Sequence, residues 1–325
     1  MRRRLISWLV NTAFLALASI AAAGTARAAG YPDKPVRVII PFPAGAAADN
    51  AMRVVARKLS EYWGQPVIID NRPGAPGMQV AASAPADGYT LLLGAGSGIV
   101  TTPLLISKLP YNPSRDFTPV GKVLTNTPVL TTHPSMGVKS VKELIALAKS
   151  KPGQLNYSSS GTGGPNHLAM EMFQAMTGTE MVHVPYKGAA PSVNELVGGH
   201  VQLGINAVPS VAHQISTGKL TALAVASSRR SVLLPQIPTM AEAGVPGFEY
   251  DIWYALFAPA RTPAAIVDKA STDLQRALRD PEVARQLVAQ GSEPAPGSAQ
   301  ELARYIREDT ARWTKLIAER KLKIE

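Results

Sequence analysis

The sequence predicts an α/β protein of two domains, and three observations carry that prediction. Short β-rich runs alternate with amphipathic helical patterns along most of the chain, the order expected of largely parallel sheets. Behind an N-terminal leader about 297 residues remain, which favours two domains and suffices to bury a sizeable core. No cysteine occurs in the 325 residues, so the core must hold the fold without disulfides.

The leader comes first. Met1-Arg2-Arg3-Arg4 is basic, the run from Leu5 to Ala23 is apolar, and Ala26-Arg27-Ala28 has the small-x-small form of a cleavage site. Asn11 and Thr12 interrupt the apolar run, which is short beside the ~20 residues a membrane span needs. We read residues 1–28 as an export signal cleaved after about Ala28, with an uncleaved anchor as the alternative and the Sec or twin-arginine route left open. No later segment approaches a membrane span, so no stable membrane insertion is expected after processing.

In the body, Arg37 to Phe42 reads as a buried strand, followed by Met52, Val55, Ala56, Leu59 and Trp63 at helical spacing. Pro66 to Asp70 and Tyr89 to Gly94 are the next strands, the latter entered through the Asp87-Gly88 turn. Residues 120–123 and 128–132 read as a strand pair, and Ser140 to Glu143 as a capping box opening a helix. Leu155 to Ser158 is a strand before a helix over about 166–176, and 182–184, 201–205 and 220–226 are three more strands. The C-terminal third is expected to be helical, with starts at Thr262-Pro263, Asp280-Pro281 and Ser298 to Glu301. The Pro/Gly-rich stretches 71–77 and 235–247 are expected to be structured loops.

Composition narrows the function. Residues 1–28 hold four of the 33 basic residues and none of the 23 acidic ones, leaving a net charge of +6. That mild field favours anionic solutes. It gives no dense Lys/Arg run with interleaved aromatics, so nucleic acid is not an expected partner. Without cysteine there is no thiolate metal site, cysteine nucleophile or lipoprotein anchor.

Two small-residue segments stand at strand-to-helix junctions: Pro43-Ala44-Gly45-Ala46-Ala47-Ala48-Asp49 and Ser158-Ser159-Ser160-Gly161-Thr162-Gly163-Gly164. A helix N-terminus offers unpaired N–H donors and partial positive charge, which suit a carboxylate or phosphate. An ordinary turn without ligand is the alternative for each. Enzyme motifs are missing. Ser97 has Ala95 and Ile99 where a nucleophile elbow needs glycines, and neither Gly-rich nucleotide motif is complete. The five histidines show no metal-ligand spacing, and no cofactor is implied. Lys187 reads as a solvated lysine beside a turn, and Trp253 and Tyr254 as sheet core.

Taken in order, these segments resemble the substrate-binding receptors of tripartite tricarboxylate transporters, the Bug receptor family. The likeness runs from Tyr31 almost to Glu325. It rests on Lys34 to Asp49, Asn71 to Ala75, Ala84 to Leu91, Leu155 to Gly161, His167-Leu168, His183 to Gly188, Ile237 to Thr239 and Trp253 to Pro259. The resemblance implies a type II periplasmic-binding-protein fold, two α/β lobes closing on a solute, here 31–128 with 253–325 and 129–252. It implies a periplasmic, non-enzymatic receptor that captures a small organic acid for a two-subunit integral membrane permease. A receptor presenting its ligand to a membrane sensor and an exported hydrolase remain the alternatives. By the same resemblance Phe42, Ala44, Gly45, Ala46, Ala47, Ala48, Asp49 and Ser97 are ligand-binding candidates of the first lobe. Ser160, Gly161, Thr162, His167 and Asn206 are those of the second. Two departures stand out. Ala46-Ala47-Ala48 replaces a Gly-Gly-Thr/Ser pattern, and Asn206 stands where relatives often carry Asp, which removes a counter-charge for an ammonium group. Asp49 is expected to cap the helix that follows.

Overall fold

The computed structural model describes residues 30–320 and Leu322. The leader at residues 1–28 lies outside the described residues. The first strand, β1 (Val36–Ile40), is buried on both faces, as a strand between two helical layers must be. Helix α1 (Ala47–Trp63) follows, burying Ala48, Ala51, Met52, Val55, Ala56, Leu59 and Trp63 and stopping at Gly64 in the left-handed conformation. Strand β2 (Val67–Asn71) pairs parallel to β1, placing Val36 opposite Val67. A short helix, α2 (Ala75–Ala82), then rises from a stretch expected to be loop, and Gly74 before it has a positive φ of 75°. Ala75, Val80 and Ala81 pack into the core there, so apolar burial extends structure into the Pro/Gly-rich segment.

Strand β3 (Thr90–Ala95) pairs parallel to the other side of β1. The long strand β4 (Phe117–Asn126) leads directly to β5 (Pro128–Thr132), which belongs to a second sheet. Helix α3 (Val141–Ser150) opens on the expected capping serine, since the Glu143 amide donates to Ser140 Oγ at 3.2 Å. Strand β6 (Asn156–Ser159), helix α4 (Pro165–Thr177), strand β7 (Val182–Pro185), helix α5 (Ala189–Val197), strand β8 (Leu203–Ala207), helix α6 (Val208–Ser216) and strand β9 (Thr221–Val225) complete that unit. The chain then returns through β10 (Ile252–Pro259), α7 (Ala264–Arg279), α8 (Pro281–Ala289), the two-residue β11 (Glu293–Pro294) and α9 (Ala299–Arg320).

The first sheet has the order β11-β4-β10-β3-β1-β2, and the second β7-β6-β8-β5-β9. In the first, β10 runs antiparallel between β3 and β4, with Tyr254 opposite both Ala95 and Leu124. In the second, β6 is parallel to β7 and β8, whereas β5 is antiparallel to β8 and β9. Strand β11 interrupts the region expected to be wholly helical, and Thr262 is not a cap. Pro263 holds the capping position of α7 while the Thr262 hydroxyl donates to Pro259 O at 2.7 Å. Asp280 does cap α8, accepting from the amides of Glu282 and Val283, which is worth about 1 kcal/mol.

The core has three clusters. One lies between the first sheet and helices α1, α7 and α8, built on Val38, Ile40, Val55, Leu59 and Leu274. A second covers the outer face of the second sheet, with Val129, Leu196, Val208 and Leu220. The third joins both sheets: Ile39, Leu92 and Phe257 of the first connect to Leu130, Tyr157 and Ile205 of the second and to Phe173 of α4, with Trp253 and Trp313 among them. Helix α9 supplies Trp313, packed edge-on to Tyr250 at 5.5 Å between ring centroids, and Tyr305, edge-on to Trp253 at 5.8 Å.

Gly96 follows from this packing. A Cβ there would stand 2.5 Å from Nε1 and 2.6 Å from Cε2 of the Trp253 indole, a rigid ring that is 2% exposed. Gly96→Ala should therefore destabilise by about 1–3 kcal/mol, the cost of overpacking a filled core. Urea unfolding should show a lower midpoint with an unchanged slope.

Candidate functional site

Parallel strands open toward a ligand at their carboxyl ends, and both small-residue segments lie there. Strand β1 ends at Ile40, and a Pro43–Ala46 turn enters α1, with Gly45 at a φ of 82°. Ala46 holds the capping position, and no side chain caps the helix. Its first amides therefore lack intrahelical acceptors. Ala44, Gly45 and Ala47 are exposed and Ala48 is buried.

Asp49 is not the cap. It lies three residues into α1, is 1% exposed, and accepts from Gly45 N at 2.8 Å, Arg53 Nε at 3.1 Å and Asn71 Nδ2 at 3.0 Å. Burial works against its ionisation, yet these bonds and the Arg53 charge hold its carboxyl below the usual carboxylate range. Asn71 also donates to Phe42 O at 3.2 Å, so the carboxylate and the amide together fix the turn.

The second segment is built in the same way. Strand β6 ends at Ser159, and residues 160–164 lead to α4, whose N-terminus also has no side-chain cap and begins with Pro165. Gly161 and Gly163 have φ of 139° and 73°, values that side chains rarely adopt. Ser160 Oγ donates to Asn166 Oδ1 at 3.0 Å. Asn166 Nδ2 in turn donates to Ile205 O at 2.6 Å and Asn206 Oδ1 at 3.1 Å. Thr162 is exposed. His167 accepts from Gly163 N through Nδ1 at 3.0 Å, so its ring braces the loop from below.

That ring stacks on His183 at 4.0 Å, and His183 stacks on Tyr157 at 5.0 Å. Burial lowers the pKa of both histidines, that of His183 to about 4, where the neighbouring His167 adds to the effect and Glu171 opposes it. Ser159 Oγ stands 2.6 Å from His183 Nε2, a spacing that a nucleophile and its base could have. Ser159 is fully buried, however, and its hydroxyl donates to Gly161 O while accepting from Gly161 N. The pair is a structural bond.

A cavity of about 150 Å³ is lined by Phe42, just before the first segment, and Pro165, just after the second, and by no residue of either segment itself. Phe42 and Ser97 line it from the first sheet's loops, Pro165 from the start of α4, and Tyr250 to Tyr254 from the chain entering β10. Phe42 meets Tyr254 edge-on at 5.7 Å. Of the residues expected from sequence, Phe42 and Ser97 thus line this cavity. The turns holding Ala44 to Ala48 and Ser160 to Thr162 flank its lining residues in sequence. Asn206 sits beneath the second loop, 1% exposed, with Oδ1 engaged by Asn166 and Nδ2 without a protein partner. Sequence reasoning missed Asn166, Asp251 and Asp309. Only Asn166 carried a signal, as a polar residue just inside the helix beyond a Gly-rich loop.

Asp251 and Asp309 bring negative charge to the cavity wall. Asp309 is neutralised by Arg312 at 2.5 Å and accepts from Trp253 Nε1 at 3.2 Å. Asp251 has no such bond. Burial pushes its carboxyl up to about 6, against the attraction of Lys122 and with added repulsion from Glu249 and Glu293. Lys122, itself lowered by burial, lies 3.6 Å from the Tyr305 ring centroid. Among the described residues no group of His, Asp or Glu is placed to hold a metal ion, and no helix is long and apolar enough to cross a membrane.

Two sheets joined by strand crossings, with a cavity beside the crossing, have the build of a solute-binding protein. Residues 51–322 match the family described as "Tripartite tricarboxylate transporter family receptor", and the chain belongs to it. It is similar to protein BugT of Bordetella pertussis, at 37% identity over 316 residues and 96% of each chain. A structure of R. palustris Rpa4515 with adipate is 36% identical, with a TM-score of 0.78 over 90% of this chain and 99% of that one. MatC of Rhodopseudomonas palustris with bound malate is 29% identical, with a TM-score of 0.73 over 88% and 100%. The fold is accordingly that of the periplasmic binding proteins of this family, whose members are solute-binding receptors.

An anion entering this cavity meets Asp251. Affinity for a carboxylate should rise as pH falls from 8 to about 5, because Asp251 takes up a proton near 6 in the folded protein while most carboxylic acids stay ionised. Asp251→Asn should raise affinity at pH 8 and flatten the profile. Calorimetry across that range would show both effects.

Proposed function

We propose that this chain is exported, loses its leader after about Ala28, and captures a small organic carboxylate in the periplasm. The two lobes are residues 31–128 with 253–325, and 129–252, and the loaded receptor hands its solute to a two-subunit integral membrane permease. One observation carries the reading: two helices of 17 and 13 residues present uncapped N-termini from loops that hold no lysine or arginine. Such a pair suits anionic oxygens, which backbone amides and hydroxyls can hold. The neighbours solved with adipate and malate support a carboxylate as the solute class. A binding role without chemistry fits the buried, fully bonded Ser159.

A carboxylate that binds the native form alone should stabilise the protein by about 2.7 kcal/mol at 100 times its dissociation constant. Melting curves with mono-, di- and tricarboxylates test this; shifts from neutral sugars and none from any acid would overturn it. Thr162, exposed on the second loop, should donate to the bound oxygen. Removing a hydrogen bond to a charged group costs about 1.5–3 kcal/mol, so Thr162→Val should weaken binding roughly 10- to 150-fold in a protein that melts normally.

A further inference from the structure

A second cavity, of about 320 Å³, adjoins the first and shares Phe42, Ala95 and Ser97 with it. The two differ in chemistry. Where the first has Asp251 and Asp309 in its wall, the second has no charged side chain. Its apolar wall is formed by Met78 of α2, Ile106 and Leu109 from the segment after β3, and the Tyr111 ring, with the uncharged Ser97 and Thr102 beside them. The Tyr111 hydroxyl is already bonded to Gly98 O at 3.0 Å, so the ring is what it has to offer.

The start of α2 also borders this space, yet it cannot hold an anion. Pro76 has no N–H, Gly74 N donates to Pro41 O, and Gly77 N donates to Gly74 O. Only the Ala75 amide remains there, and with the Ser97 and Thr102 hydroxyls it supplies no counter-charge to repay the desolvation of a carboxylate. A dicarboxylate reaching in with its second charge would lose more than it gained. An apolar group would gain about fourfold in affinity for each methylene buried. A cavity of roughly 150 Å³ lined by aliphatic residues holds benzene, so this one has room for a ring with a short chain.

We propose that this cavity takes the body of the solute, and that the receptor's ligands are monocarboxylic acids bearing an alkyl chain or an aromatic ring. The carboxylate lies at the amides of the two loops, and the tail passes Phe42 to rest on Met78, Ile106 and Leu109. This assignment rests on the carboxylate reading above and adds the solute class.

Gly98 provides the means of testing it. A Cβ there would stand 3.6 Å from Met78 Cε and 3.8 Å from Tyr111 Oη, ordinary contacts, so a side chain at this position enters the cavity. Calorimetry would compare hexanoate with adipate, which has the same carbon count, and butyrate with hexanoate and phenylacetate. Hexanoate should bind at least about tenfold tighter than both adipate and butyrate, from two more buried methylenes and no stranded charge. Gly98→Val should weaken hexanoate and phenylacetate by about tenfold or more while changing butyrate less than about threefold. Ile106→Trp, at a partly exposed position of the same wall, should do likewise if Gly98→Val fails to fold. Adipate binding as tightly as hexanoate, or variants that weaken all acids equally, would overturn the assignment and leave the carboxylate reading standing. Absence of binding by every acid would instead overturn the carboxylate reading, and this assignment with it.

Discussion

The position of β10 is the constraint on which the rest of the structure depends. The chain leaves the first sheet at Asn126, builds the second, and must come back to fill a gap between β3 and β4. Entering antiparallel, β10 places Tyr254 beside Ala95 and Trp253 beside Thr125. Its approach, Tyr250 to Ile252, becomes the floor of the cavity. Trp253 then requires a glycine at 96 and an acceptor at 309, and Asp309 requires Arg312. One inserted strand thus ties the C-terminal helix, the loop after β3 and the cavity wall into one unit.

The same junction is bound again at its far side. Glu293 of β11, 4% exposed, accepts from Thr127 Oγ1 at 2.9 Å and from Ser231 Oγ at 2.7 Å. Thr127 lies where the chain passes into the second sheet, and Ser231 lies on the way back. One carboxylate oxygen therefore fastens both crossings to the first sheet. A buried carboxylate so bonded is costly to leave half-paired, which fixes how the crossings are held.

The loops ahead of α1 and α4 solve one problem in two ways. Each is built of small residues and must hold a fixed shape without bulky side chains of its own. The first is held from its own helix by Asp49, with Asn71 as a strut from β2. The second is held from below, by Asn166 against β8 and by the His167 ring under Gly163. In both, a side chain takes up one loop amide, Gly45 N at Asp49 and Gly163 N at His167, and the amides of the first helical turn are the ones left without an intrahelical acceptor.

Much of this was determined by sequence alone. The period-two and helical patterns, the capping residues Ser140, Asp280 and Ser298, and the two small-residue junctions mark local preferences, and neighbours along the chain suffice to express them. The ordered segments from Lys34 to Pro259 carried the family, because their sequence is its own record. What lies between distant segments was illegible. In sequence Asp49 reads as a cap; Gly45 and Arg53 are its near neighbours in the chain, but its partner Asn71 exists only once β2 lies beside α1. Asn206 is a ligand candidate by resemblance, and only the packing of α4 on β8 sets its oxygen against Asn166. Asp251 carries no sequence signal, since its raised pKa comes from burial and from charges at 122, 249 and 293 that folding assembles. Local structure follows from bonds between near neighbours, whereas desolvation and cavity shape belong to the assembled whole and were decided there.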